Sequence, residues 1–190
     1  MDELRKLAIA KKFVPRQTTT NGTIEVESLK IHFRCPQLKQ LLELNQSFAT
    51  LRSTYLAKPV VTVGDEILFG ELAILRYLEK DDWEGVWVDS FHSSKNQDVF
   101  WSAMPPEGKA PSFPSRVQER FNEIKSKNNG RISGFFDVFA WKNEGQNYKD
   151  DYVFIEYKGR GDSPNDNEDP WVDAATSAGV EPNQLFIVHY

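Results

Sequence analysis

Residues 152–159 read YVFIEYKG, apolar and aromatic throughout except for one glutamate and one lysine two positions apart. Successive side chains of a strand point to opposite faces, so Glu156 and Lys158 share one face while Tyr157 takes the other. Upstream, residues 132–141 read ISGFFDVFAW and predict a second strand, separated from the first by the polar stretch KNEGQNYKDD. If the two strands form an antiparallel hairpin across that loop, Trp141 lies opposite Tyr152, and the same register sets Asp137 opposite Glu156. Two facing carboxylates repel unless a cation lies between them. For hard oxygen ligands the first candidates are Mg2+ and Mn2+. A plainer alternative fits the spacing equally well: Asp137 ends a strand, and Glu156 with Lys158 forms a solvated pair on an open sheet face.

Working outward, PWVDAATSAG predicts a helix over 170–179 that opens at Pro170, and QLFIVHY predicts a closing strand at 184–190. Pro170 suits a helix start, where its missing amide hydrogen would have had no partner. Before the hairpin, Ser115 is placed to cap a helix over RVQERFNEIKSK, which Asn128 to Gly130 terminate. A Pro-rich connection over 92–114 precedes it. Earlier still, PVVTVGDEILFGELAILRYLEK joins a hairpin turning at Gly64-Asp65 to a helix carrying Leu72, Leu75, Tyr77 and Leu78, followed by a strand over GVWVDSF. The first 60 residues predict a helix near residues 2–12, a turn at Asn21-Gly22, a strand over TIEVESLKIHF and a helix after Pro36. The expected division is an N-terminal α+β extension over 1–60 and the main domain over 61–190.

Composition bounds the function. A net charge of −5 argues against a protein that coats nucleic acid by bulk electrostatics, because phosphate binding is driven by clustered Lys and Arg. It leaves room for an acidic active centre beside a local basic patch. No apolar run approaches the length a membrane helix needs, and the start MDELRKLAIAKKF is too polar for a secretory signal, so the expectation is a soluble, cytoplasmic protein without membrane association. The lone Cys35 excludes an intramolecular disulfide and a cysteine-rich zinc site. His32, His92 and His189 are scattered without ligand spacing.

The blocks GFFDVFAW, FIEYKGRGD and the tryptophan thirteen residues after Lys158 resemble the virus-type replication-repair nuclease domain (VRR-NUC), a branch of the PD-(D/E)xK nuclease superfamily. That family's pattern is G-x-P-D-L, E-V-K-G-x-G-D and N-Q-x-x-W. Gly134, Asp137, Glu156, Lys158, Gly159, Gly161, Asp162, Asn167 and Trp171 stand at matching positions, over about residues 134–190 and more loosely 71–90. Phe136 replaces the family's Pro, and Glu168 its Gln.

The resemblance implies an α/β fold, a restriction-endonuclease-like mixed sheet core (αβββαβ), here with the N-terminal extension and an inserted helix. It also implies a metal-dependent endo- or exodeoxyribonuclease using Mg2+ or Mn2+. DNA is the implied partner, in branched or flapped form among relatives, some of which are homodimers. Asp137, Glu156, the backbone carbonyl of Tyr157 and a first-helix glutamate would hold the metal; Lys158 would act on the scissile phosphate. Glu71 is the best placed first-helix residue, with Glu119 and Glu123 as competitors. Arg160, Arg131 and Lys142 are candidates for phosphate contact, and Glu168 and Trp171 for support of the site. The substitution Lys158→Met is expected to abolish cleavage while leaving folding intact. Two other readings stay open: a nuclease fold that binds nucleic acid or a protein without turnover, and a thiol-peptide-binding protein. The last rests on the likeness of residues 58–80 to the end of the thioredoxin-like half of glutathione transferases, although Gly70-Glu71 replaces that family's Glu-Ser pair.

Overall fold

A computed structural model describes residues 1–37, 58–90, 100–105, 113–142, 152–159, 161–162 and 168–190. The helix expected after Pro36, the loop over 143–151 and most of the Pro-rich connection lie outside the described residues. In chain order the elements are α1 (Asp2–Leu7), β1 (Ala8–Thr18), β2 (Gly22–Ile31), β3 (Val60–Val63), β4 (Glu66–Phe69), α2 (Gly70–Glu79), β5 (Glu84–Val88), β6 (Phe100–Trp101), α3 (Ser115–Lys127), β7 (Val138–Trp141), β8 (Tyr152–Lys158), α4 (Glu168–Ser177), a 3-10 turn (Pro182–Gln184) and β9 (Leu185–His189).

Seven strands form one mixed sheet in the order β1-β2-β9-β8-β7-β5-β6, and β3 with β4 forms a separate hairpin. From α2 onward the order is helix, strand, inserted segment, strand, strand, helix, strand, as expected from the sequence. The β7–β8 register sets Trp141 opposite Tyr152 and Val138 opposite Ile155, so continuing it by one residue brings Asp137 to Glu156. β9 runs parallel to both β8 and β2. The N-terminal strands therefore continue the same sheet that carries the YVFIEYKG stretch.

Both faces of the sheet's central strands are covered. On one, α2 packs Leu72, Leu75 and Leu78 with Val138, Ile155, Tyr157 and Val188. On the other, Val117, Phe121 and Ile124 of α3 and Trp171 of α4 pack with Phe139, Phe154 and Ile187. Every residue of β8 is consequently buried, including Glu156 and Lys158. Covered sheets produce such apolar runs in place of in-out alternation. The plain alternative of a solvated pair on an open face is thereby excluded.

Phe136, at the position where the resembling family has Pro, stacks on Trp171 with ring centroids 4.4 Å apart. It joins the start of β7 to α4, and both rings are fully buried.

Several local expectations are corrected. The first helix ends at Leu7, and residues 8–18 form β1 across the Asn21-Gly22 turn from β2. Pro15 is tolerated because β1 is the sheet's edge, where a missing N–H breaks no ladder on the outer side. The strand expected from Ile132 begins only at Val138. Asn128 donates its side-chain amide to the carbonyls of Arg131 and Ser133, and Gly134 has φ 78°, so turns satisfy this segment's backbone. Ser115 is the first helical residue of α3 rather than its cap, which is Pro114. Pro170 is the third residue of α4, still within the first turn. Phe100 and Trp101 pair with β5 inside the stretch read as a bare connection.

Candidate active site

Asp137 stands just before β7, where β5 still holds its backbone: the Val88 amide donates to the Asp137 carbonyl at 2.7 Å. The side chain turns toward β8, and Asp137 Oδ2 accepts the Tyr157 backbone N–H at 2.9 Å. In an extended strand the N–H and C=O of one residue point the same way. The Tyr157 carbonyl thus faces Asp137, as the resemblance requires of a ligand. Burial first, then Glu156 and Glu71, raise the Asp137 carboxyl well above its ordinary pKa against the pull of Lys58 and the Tyr157 amide. Those three carboxylates therefore share one electrostatic neighbourhood at one end of the sheet.

Glu71 reaches this neighbourhood because α2 starts against β8. A Cβ built on Gly70 would lie 2.2 Å from Tyr157 Cζ, so only glycine permits the approach. Glu71 is 2% exposed and pairs with Lys58, Nζ to Oε1, at 2.5 Å. Its other oxygen, Oε2, is buried without a hydrogen-bond partner among the described residues. The Lys58 ammonium also stands 5.0 Å from the Trp87 ring centroid, and the charges of Glu71, Asp137 and Asp89 raise its pKa against the effect of burial. Asp89 follows β5 and is itself buried.

On the α4 face, Lys158 lies between two carboxylates. Its ammonium donates to Glu156 Oε1 at 2.8 Å and to Glu168 Oε1. Burial raises the Glu156 carboxyl to a pKa of about 7 despite Lys158. Glu168 is in turn held by Arg16 of β1 through a contact of 2.5 Å to Oε2, and Arg16 also reaches Asp169 at 3.2 Å. Arg16 offsets the charge that glutamate adds where the resembling family carries neutral glutamine. Buried ions persist only when paired in this way.

Of the sequence candidates, Asp137, Glu156, Lys158, Glu71, Tyr157 and Glu168 gather here, whereas Trp171 packs in the aromatic core against Phe135, Phe136 and Phe154. Glu119 and Glu123 are exposed and line a separate groove with Arg116, Arg120 and Tyr152. That groove adjoins the far end of β8, roughly 20 Å from Lys158 along six residues of strand. Lys142 follows Trp141 at the same far end and places its ammonium 5.2 Å from the Trp83 ring centroid. Arg131 is exposed in the turn after α3. Arg160 and Asn167 lie outside the described residues. Sequence reading missed Lys58, Asp89 and Arg16. The unexpected charge of Glu168 was a signal for a compensating cation, but nothing in the sequence indicated where it would come from.

Among the described residues no three His, Cys, Asp or Glu side chains already stand at metal-ligand spacing. The donors nevertheless have the chemistry for a hard cation: two crowded carboxylates of raised pKa, Glu156 buried and Asp137 half-buried, an orphaned glutamate oxygen and a strand carbonyl. Lys58 supplies the positive charge at Glu71. Among the described residues no helix is long and apolar enough to cross a membrane. No family model, curated protein or solved structure matches the chain.

Proposed function

We propose that the chain is a metal-dependent nuclease of the PD-(D/E)xK kind, of the VRR-NUC branch, hydrolysing DNA phosphodiester bonds. The observation that carries this reading is the convergence of Glu71, Asp137 and Glu156 on one electrostatic site, with Lys158 beside it, in a register the D…ExK spacing anticipates. Mg2+ or Mn2+ would supply Lewis acidity and an acidified water. Asp137, Glu156, Glu71 and the Tyr157 carbonyl would hold the ion. Lys158, once released from Glu168, presents a compact positive charge to the phosphoryl oxygens, where charge builds up in the transition state.

Lys58 has a definite role in this reading: it neutralises Glu71 in the metal-free protein and would compete with a cation held there. Lys58→Met is therefore expected to tighten Mn2+ binding by roughly tenfold or more, since a competing charge about 4 Å away is worth about 1 to 4 kcal/mol between water and a protein surface. The same variant should melt below wild type without metal and recover with it. Calorimetric titration with Mn2+ and paired melting curves measure both. Weaker metal binding by the variant would instead make Lys58 part of the site's working form.

The second reading, a nuclease fold that binds nucleic acid or a partner without turnover, is favoured by one observation: Glu168 and Glu156 both hold Lys158. Nicking of plasmid and branched DNA with Mg2+ or Mn2+, by wild type and Lys158→Ala, separates the two. Metal-dependent cleavage that disappears in the variant supports the nuclease; DNA binding without cleavage by wild type supports the binding module.

A further inference from the structure

At the same end of the sheet, a groove of about 460 Å3 runs across β1, β2 and β9 to the segment following β8. Lys12 of β1, Lys30 of β2 and His189 of β9 line it together with Gly159 and Gly161. Register brings these side chains together: His189 is level with Lys158 on one side and Lys30 on the other. Strand alternation fixes the face. Lys12 points the same way as Arg16, which reaches Glu168 on α4, and His189 points the same way as Ile187, which packs beneath α4. The groove therefore opens on the face that carries Glu156 and Lys158.

Its exposed lining carries Lys11, Lys12 and Lys30 against one carboxylate, Asp162. Lys12 and Lys30 are exposed, and among the described residues neither has a carboxylate partner. After burial, the cations of Lys12, Lys158, Lys30 and Arg16 are what hold the His189 pKa below that of free imidazole, so His189 stands among cations drawn from β1, β2 and β8. At about 4.8 Å per strand the row is about 14 Å wide, enough for several consecutive phosphates. Asp162, which accepts the Gly159 amide at 2.8 Å, is the acidic boundary of the groove.

We propose that the β1–β2 hairpin is a phosphodiester-backbone binding surface, on which Lys12, Lys30 and His189 carry a nucleic-acid strand toward Lys158. Only the destination rests on the nuclease reading; the binding surface does not. It also assigns a role to the N-terminal strands, which the αβββαβ core does not require.

The test is fluorescence anisotropy of labelled single-stranded and branched DNA in EDTA, where no metal-dependent cleavage intervenes, across a salt series. Lys12→Glu with Lys30→Glu is expected to weaken binding at least tenfold and to lower the slope of log K against log salt by about 2, one for each phosphate that the pair of lysines neutralises. Lys80→Glu with Lys127→Glu changes the net charge equally, away from the groove, and is expected to bind as wild type does. Both double variants should melt as wild type does, because all four lysines are exposed. Equal weakening by both pairs, unchanged binding by the groove pair, or no DNA binding by wild type would overturn the proposal. A wild type that binds through the groove yet never cleaves would overturn the nuclease reading and leave this one standing.

Discussion

Lys158→Met is expected to destabilise the metal-free protein by about 3 to 5 kcal/mol, the usual consequence of removing one partner from a buried charge network. It is also expected to reduce cleavage by about a hundredfold or more, as loss of a preorganised group acting on transition-state charge does. From the sequence, an active-site lysine projecting from a strand is expected to leave folding intact when replaced. The structure gives a reason to revise that. Lys158 is 5% exposed and is the cation that Glu156 shares with Glu168. Methionine fills the space but takes from Glu156 and Glu168 the ammonium they share, while Arg16 still pairs with Glu168. Urea unfolding with and without Mn2+, alongside a nicking assay, separates the two effects. Metal should restore much of the stability and none of the activity. A variant as stable as wild type without metal would mean that Glu156 takes up a proton at little expense and that the lysine is not a structural cation.

The same residues show how far sequence reading reaches. The hairpin over 138–158 and the meeting of Asp137 with Glu156 were legible because two apolar runs flanking one polar loop fix a register, and register fixes which side chains meet. Glu71 was legible as a residue at the start of a helix lying just before a strand. Arg16 was not, for two reasons. The stretch 8–18 was divided between a helix and a turn, and the contact of Arg16 with Glu168 spans 152 positions. Lys58 was hidden in another way: it precedes Pro59 with no pattern around it, and only the three-dimensional placement of α2 gives its ammonium a carboxylate to neutralise. The segment 132–137 was misread because aromatic residues suit strands and buried turns alike, and the deciding groups are the Asn128 side chain and a glycine at positive φ. For Arg16 and Lys58 the missed element is a polar contact made across the fold, and for 132–137 a local side-chain-to-backbone contact; hydrophobic periodicity is blind to both.

Without metal, the site should make the protein less stable as pH rises from about 4.5 to about 7, the reverse of the usual response of paired carboxylates. Glu156 has a folded-state pKa of about 7 against an ordinary 4.5. Because the folded form binds its proton more tightly, the stability it contributes is fully present below 4.5 and is lost as pH rises through 7; by linkage the loss is on the order of 3 kcal/mol at most. Asp137, also raised, acts with the same sign. His189 acts against them: its folded pKa is lowered, so its contribution is present above 6.5 and is lost as pH falls through the lowered folded value. The site's own term is therefore read from the difference between wild type and Glu156→Gln, which keeps the shape and removes the ionisation. That difference should favour the variant increasingly between pH 5 and pH 8 in EDTA. Saturating Mn2+ should reverse it, because a cation among the carboxylates favours their charged forms and displaces the proton. Calorimetry of the Mn2+ titration in buffers of different ionisation enthalpy should detect that proton release near pH 6. A difference that stays flat with pH, or a titration releasing no protons, would show that Glu156 is already ionised beside Lys158 and that the carboxylates are not waiting for a metal.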